Sequence, residues 1–311
     1  MLFEDLKALV AVIECASLTK AAEALCITQS AVSRRIQHLE DVLNVSLFDR
    51  TTRPPVPTAM GYRIYECAVG LLRDARYLLS IPEEDALPSG RFRVGFTQIV
   101  ADAVVFEVVT RMREKFPDLD MQLMTDWSSE LQQLVLHGAL DAATLMLPSP
   151  SSLPDKLQGQ RASTLEILVV QSKEKPVAGS ITDIKDLSGN EWILNPKGCG
   201  YRSALEAAMG GQGQKLKLRV DTQGAVMQMR MVAAGLGLGL IPRQLLQTSP
   251  FSNQLAIVEI NDFSLKMDIW IVRSNQPGNL KKAYDLLVDS VLQGFQISPF
   301  APSHLNMSAG E

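Results

Sequence analysis

The 311-residue sequence is poor in the residues that build metal centres, disulfide frameworks and membrane spans. Its four cysteines, Cys15, Cys26, Cys67 and Cys199, lie far apart and form no C-x-x-C pair, so the spacing supports neither a zinc site nor a disulfide scaffold. Three histidines (His38, His137 and His304) form no ligand cluster with them. The longest near-apolar stretch, Met231–Pro242, has 12 residues. A bilayer-spanning helix needs about 20, so no membrane partner is expected. Glu4 and Asp5 stand where a secretory leader carries Lys or Arg, and Glu14 interrupts the first apolar segment. Export is therefore not expected, and sparse cysteine use fits a reducing, cytoplasmic compartment. A large excess of basic charge is also missing: the net charge is −4, which excludes a wholesale polyanion binder. A small DNA-reading module on an acidic body stays open, because only the field at the contact surface counts.

What is present is 46% apolar and 21% charged residues, ordinary for globular protein, over a length that fits about two domains. Leu6, Leu9, Val10 and Ile13 recur at helical spacing and predict a first helix with one buried stripe. A second, short helix over Thr19–Leu25 carries Ala21, Ala22 and Ala24, small enough for close approach to a neighbour. Thr28 then caps a third helix, Gln29–Glu40. Val32, Ile36 and Leu39 share one face of it; Ser30, Ser33, Arg34 and Gln37 share the other. Short helix, tight turn and a helix with a polar, basic outer face is the helix-turn-helix pattern. Gln pairs bidentately with adenine and Arg with guanine, while Ser and Thr reach phosphates or base edges. A plain solvated helix face is the alternative reading of such a stripe.

Leu47-Phe48-Asp49-Arg50 leads into Thr51-Thr52-Arg53-Pro54-Pro55-Val56-Pro57-Thr58, where the prolines forbid helix and favour an extended ribbon. This predicts a wing that lies along the DNA backbone and puts an arginine into the minor groove. Residues 28–63 hold five arginines against three acids, a weak basic bias. A long helix capped by Thr58 follows. Gly61, Ile64, Ala68, Leu71, Ala75 and Leu78 are spaced 3, 4, 3, 4, 3 along it, which predicts a coiled-coil dimer seam; an amphipathic helix lying on its own domain is the alternative. Ile81–Gly90 reads as a hinge.

Residues 2–63 resemble the DNA-binding domain of LysR-type transcriptional regulators. The resemblance rests on Ala21-Ala22-x-x-Leu25, on Thr28-Gln29-Ser30-Ala31-Val32-Ser33-x-x-Ile36-x-x-Leu39-Glu40, on Leu47-Phe48-Asp49-Arg50 and on Thr58-x-x-Gly61. Two departures stand out: Thr28-Gln29-Ser30 replaces the usual Ser-Gln-Pro, and Pro57-Thr58 replaces the usual Leu-Thr.

Beyond residue 90 the pattern becomes strand, helix, strand, helix. Phe92, Val94 and Phe96 alternate; Ala101, Val104, Val105, Val108 and Met112 are helical; Met121, Leu123 and Thr125 alternate; Leu131, Leu134 and Val135 are helical again. This predicts a parallel sheet with crossover helices. A second such set runs from Ile167–Val170 through Trp192–Leu194, Leu216–Val220, Gln223–Ala234, Leu255–Ile260 and Met267–Val272 to a last helix near Leu280–Phe295. Ser298–Glu311 has no periodicity and is expected to be disordered. Residues 91–297 resemble the family's effector domain, and Val232-Ala233-Ala234-Gly235-x-Gly237-x-Gly239-x-Ile241-Pro242 matches its run in the second lobe.

The fold class expected is thus an α/β effector domain of periplasmic-binding-protein type with two lobes, plus an N-terminal all-α winged helix-turn-helix domain and a linker helix. The boundaries are 1–58 for the DNA-binding domain, 59–90 for linker and hinge, 91–164 with 267–297 for lobe one, and 165–266 for lobe two. The resemblance implies chain crossings between lobes near Ser163–Glu166 and Ser264–Asp268. It also implies a homodimer or tetramer, a promoter operator in double-stranded DNA, a small-molecule effector and RNA polymerase as a further partner.

Open α/β sheets bind ligands beyond the carboxyl ends of their strands. That rule selects Thr97, Gln98 and Ile99; Ser128 beside Trp127; Asn195, Gly198, Cys199 and Arg202; and Thr222. Arg202 and the helix N-termini favour an anionic metabolite. The competing readings are helix caps for Thr97 and Ser128, a lobe-bracing ion pair for Arg202, and a redox role for Cys199 near Lys197 and Arg202. The Gly235–Gly239 run lacks the Lys-Ser/Thr of a phosphate loop and reads as tight packing. No cofactor and no catalytic constellation of Ser, His and Asp, of paired carboxylates or of metal ligands is evident, so an enzyme is not expected. A solute-binding protein or enzyme on the same two-lobed fold is the alternative. It leaves residues 1–63 unexplained.

Overall fold

The computed structural model describes residues 2–49, 51–52, 55–80, 86–154, 156–211, 213–274 and 278–296. Arg50, Arg53, the first half of the hinge and the tail from residue 298 lie outside the described residues.

Three helices open the chain: α1 (Leu2–Cys15), α2 (Leu18–Ala24) and α3 (Gln29–Leu43). Ser17 caps α2 by accepting the Lys20 N–H at 3.3 Å. Thr28 caps α3 by accepting the Ala31 N–H at 3.2 Å, as its residue type predicts. The turn between these helices has Cys26 in the left-handed region (φ 52°), and Asn44 (φ 51°) closes α3 the same way. Leu6, Leu9 and Val12 of α1 meet Ala21, Ala22, Val32, Ile36 and Leu39 in one buried cluster. Glu4 pairs with Arg35 at 3.2 Å, and Asp5 with His38 at 2.8 Å, across the same interface. An exposed ion pair such as Glu4–Arg35 contributes about 0–1 kcal/mol, whereas a buried aliphatic side chain contributes about 1.5–3 kcal/mol. The apolar stripe therefore sets the orientation of α3, and these two polar contacts pin its rotation.

A two-stranded ribbon follows, β1 (Phe48–Asp49) against β2 (Val56–Pro57), with Phe48 opposite Pro57. Its root is fixed by Glu40 of α3. This buried carboxylate accepts the Leu47 N–H at 2.7 Å and the Phe48 N–H at 3.3 Å. Thr58 then starts α4 (Ala59–Ser80) by accepting the Gly61 N–H at 2.9 Å, while its own hydroxyl donates to the Ser46 carbonyl.

The predicted seam on α4 needs correction. Gly61 lies against the ribbon root, where a Cβ would fall 2.1 Å from the Leu47 carbonyl oxygen. Ala68 is buried in the N-terminal core and Ile64 packs on it. The first half of the predicted seam is thus spent inside the domain, whereas Leu71, Leu78 and Leu79 stay exposed.

The rest is a ten-stranded sheet flanked by helices. Its first half is β3 (Gly90–Phe96), α5 (Gln98–Lys115), β4 (Leu119–Thr125), α6 (Ser128–Leu136) and β5 (Ala142–Pro148), with β3 parallel to both β4 and β5. After β6 (Leu157–Ser172) and the short β7 (Ile181–Thr182), the second half repeats the plan. It runs β8 (Glu191–Leu194), α7 (Gly200–Gly211), β9 (Lys217–Asp221), α8 (Ala225–Ala233) and β10 (Leu238–Pro242), with β8 parallel to β9 and β10. Helix α9 (Arg243–Thr248), β11 (Leu255–Ile260), β12 (Leu265–Ser274) and α10 (Lys281–Gln296) complete the chain.

Strands β6 and β12 pair antiparallel from Ile167–Leu265 to Leu157–Ser274 and pass through both expected crossing stretches. The first half of β6 was not predicted, because Gly159-Gln160-Arg161-Ala162-Ser163-Thr164 shows no apolar alternation. A mostly exposed strand has no reason to show one. The Gly235–Gly239 run packs closely, with Gly237 against the Glu191 carbonyl.

Replacing Gly61 by Ala forces a methyl group into a backbone carbonyl, and the expected cost is about 2 kcal/mol or more. Differential scanning calorimetry is expected to show an earlier N-terminal unfolding transition; an unchanged profile would mean that helix and ribbon do not meet.

Candidate functional site

The outer side of α3 is built by subtraction. Val32, Ile36, Leu39 and Glu40 face inward, and Arg35 and His38 are held by α1. Thr28, Gln29, Ser30, Ser33, Arg34 and Gln37 are left exposed together. Arg34 makes no hydrogen bond or ion pair among the described residues, and Gln37 donates to Asp41 at 2.8 Å. The hydroxyls of Thr28 and Ser30 lie 3.0 Å apart. Asp49, at the base of the ribbon, accepts both the N–H and the hydroxyl of Thr51, which hold its carboxyl below the usual carboxylate range.

A second site lies between the two sheet halves. Strands β3, β4 and β5 of lobe one and β8, β9 and β10 of lobe two all aim their carboxyl ends at one cleft of about 540 Å³. That volume suits a small metabolite. Thr97, Gln98, Ile99, Ser128, Asn195, Gly198 and Cys199, all named from sequence, line it together. Four helices of nine residues or more, α5, α6, α7 and α8, begin at its wall.

The predicted caps turn out otherwise. Thr97 precedes α5, but its hydroxyl caps nothing; the residue is buried, and Oγ1 has no partner among the described residues. Its N–H donates to Thr144 Oγ1 at 3.0 Å. Ser128 Oγ accepts the Met146 N–H at 2.8 Å and so ties α6 to β5. Gly198, with φ 103°, lies under Trp127: a Cβ there would sit 3.1 Å from the indole Cδ1. Trp127 comes from lobe one and Gly198 from lobe two, so their contact bridges the cleft.

Two expectations fail. Arg202 does not line the cleft. It is buried and donates to Glu206 at 2.8 Å, to the Asn195 carbonyl at 3.2 Å and to Asp221 at 3.4 Å. The Glu206 hydrogen bond above all raises its pKa, so it stays charged as an internal brace. Thr222 also lies outside the lining; its neighbours Gln223 and Gly224 form the wall instead. With Arg202 removed, no Lys, Arg or His lines the cleft among the described residues, and the side-chain basis for an anionic ligand is lost. The charged lining groups are Asp102 and Asp126.

Cys199 is buried in the wall and its Sγ accepts the Asn195 amide at 3.5 Å. The other three cysteines belong to α1, the α2–α3 turn and α4, so none stands ready to resolve an oxidised Cys199. Burial pushes the Tyr201 phenol up, and it donates to Met146 Sδ across the lobes at 3.6 Å. Sequence reasoning missed Met146, Met267 and Gln228 as lining residues. They are apolar or mid-helix positions that carry no local signal. It also missed Glu40, whose partners lie seven and eight residues downstream.

Residues 3–62 match the family described as bacterial regulatory helix-turn-helix protein, lysR family, and residues 85–296 match the LysR substrate binding domain. Among similar curated proteins, the HTH-type transcriptional regulator GltR of Bacillus subtilis is 28% identical over 247 residues, covering 79% of this chain and 81% of the relative. CysL of the same organism is 24% identical, covering 90% and 94%. The solved structure of full-length OxyR from Pseudomonas aeruginosa superposes with a TM-score of 0.72 at 18% identity, covering 94% of each chain, and so shares the fold. Among the described residues no helix is long and apolar enough to cross a membrane. With both family matches in register with the observed helix-turn-helix and the two-lobed sheet, the chain belongs to the LysR family of DNA-binding, ligand-responsive transcriptional regulators.

Proposed function

We propose that the exposed face of α3 reads an operator in double-stranded DNA, with Gln29, Ser30, Ser33, Arg34 and Gln37 against base edges and Thr28 against phosphate. The observation that carries this reading is the sorting of α3. Every basic or imidazole side chain on its inner flank is already paired to α1, while Arg34 extends free into solvent. Arg50 and Arg53 lie outside the described residues; by their place in the sequence, between Asp49 and Val56, they meet phosphate or the minor groove.

The cleft holds the effector through Thr97, Gln98, Ile99, Ser128, Asn195, Gly198 and Cys199. It is a binding site and not a catalytic one: Ser128 Oγ is engaged by a backbone amide, Cys199 by an asparagine, and no histidine lines the wall among the described residues. The protein acts in the cytoplasm, where its operator and RNA polymerase are. An effector shifts transcription only through its differential affinity for two arrangements of the assembly.

Self-association uses the half of α4 that the N-terminal core leaves free. Leu71, Leu78 and Leu79 supply its exposed apolar side, and Ala75 lies among them at seam spacing. A further pairing of effector domains, giving a tetramer, has apolar surface at both ends of the sheet. Phe106, Leu123 and Met124 stand exposed by edge strand β4, and Val226 and Met227 on the α8 side.

Arg34→Ala is expected to weaken operator binding by about 1–3 kcal/mol and to relax specificity at one position of each half-site, with the fold intact. A gel-shift series over operator variants and salt checks this; wild-type affinity would count against the reading face. Leu78→Glu is expected to shift the protein towards monomer in sedimentation equilibrium by at least about tenfold in dissociation constant. An unshifted constant would place the dimer elsewhere.

A further inference from the structure

The charge inventory of the cleft says what kind of molecule fits it. Cationic side chains are missing from the lining among the described residues, whereas two carboxylates, Asp102 and Asp126, are present. Neither carboxylate has an ion-pair partner among the described residues. Asp102 accepts only the Gln98 amide at 2.7 Å, and Asp126 accepts the Trp127 N–H at 2.7 Å. A purely anionic ligand would meet these two negative charges with no cation to offset them. A purely cationic ligand would face the positive ends of α5, α6, α7 and α8, whose first N–H groups converge on the same space.

Two unsatisfied polar atoms sharpen the choice. Thr97 is only 7% exposed, and its Oγ1, at the start of α5, has no partner among the described residues. A hydroxyl beside free helix amides is a donor set for a carboxylate. Asn195 Oδ1 is buried in the opposite wall without a donor. An acceptor there, with the two carboxylates, is what an ammonium group needs. Buried polar atoms without partners are uncommon in native proteins, and a ligand is one explanation of such atoms in a cleft wall.

We propose that the effector of this cleft is a zwitterion of the amino-acid class. Its carboxylate sits on Thr97 and the amides opening α5; its ammonium faces Asp126, Asp102 and Asn195 Oδ1, beside the Trp127 ring. This rests on the cleft being the effector site and adds the chemical class. It also accounts for Arg202: a guanidinium neutralised by Glu206 and Asp221 does not compete for the ligand's carboxylate.

The test uses the full chain, followed by thermal unfolding and by tryptophan fluorescence. The probes are the proteinogenic α-amino acids, β-alanine and γ-aminobutyrate, each beside its deaminated acid and its decarboxylated amine. At least one amino acid is expected to bind saturably, with both truncated counterparts weaker by at least about tenfold. Asp126→Asn, which keeps the oxygen that caps Trp127, is expected to weaken the amino acid by a similar factor and to leave its deaminated acid unchanged or tighter. Thr97→Val is expected to weaken both. A deaminated acid that binds as well as its parent overturns the zwitterion, and so does silence across the panel. The effector reading is judged separately: small molecules of a cell extract should raise the melting temperature of the parent protein but not of Ala225→Trp, whose side chain fills the cleft. If that difference is seen while the panel is silent, only the ligand class falls; if it is absent too, the effector reading falls with it.

Discussion

The pairing of β6 with β12 is the constraint on which the ligand cleft depends. The two strands run antiparallel over ten paired positions and carry the chain through both lobes, so the halves of the sheet are one hydrogen-bonded surface rather than two units tethered by loops. Each half repeats one plan: a central strand with a parallel neighbour on either side, joined by helices. Because the halves meet at β6 and β12, their strand ends face each other, and the helix N-termini line both walls. At the crossing Asp268 is wholly buried, opposite Thr164, whose hydroxyl donates to it at 2.5 Å. A charge-bearing group this deep is costly unless bonded, so the contact favours one register of the two strands.

The N-terminal unit solves a different problem with the same economy. A reading helix must show a clean polar side and still be held firmly. Three aliphatic residues give the hold, and two acids of α1 take up the basic and imidazole groups that flank the buried stripe. Glu40 then spends a buried carboxylate on two backbone amides, which places the ribbon relative to the helix. Orientation thus comes from apolar contact, rotation from the polar contacts of Glu4 and Asp5 with α3, and the ribbon's position from the hydrogen bonds of Glu40.

Much of this was legible in the sequence where local periodicity and local chemistry coincide. Val32, Ile36 and Leu39 marked the inner face of α3, Thr28 its cap, and Phe92, Val94 and Phe96 a buried strand. Misreadings arose where long-range partners decide. Gly61, Ile64 and Ala68 fit a heptad perfectly well, yet the ribbon root and the N-terminal core claim them first. Arg202 reads as a ligand-facing cation until the fold brings up Asp221, nineteen residues away, beside Glu206 one turn on. Asp102 sits a turn inside α5, and nothing in its neighbours announces that a cleft runs past it. The missing first half of β6 was illegible because an exposed strand need not alternate.

The tight seat of Gly61 on the Leu47 carbonyl has a mechanical side. With 22 residues, α4 is a rod of about 33 Å, seated at its start on the ribbon root, with Leu71, Leu78 and Leu79 exposed further along. Helix α4 is continuous from Ala59 to Ser80, so a tilt at one end is carried along its whole length. A swivel of about 10° carries its tip by about 6 Å, more than the 3.4 Å or so between successive base pairs. A tilt of that size at one end of α4 would therefore displace the other end by more than one base-pair step.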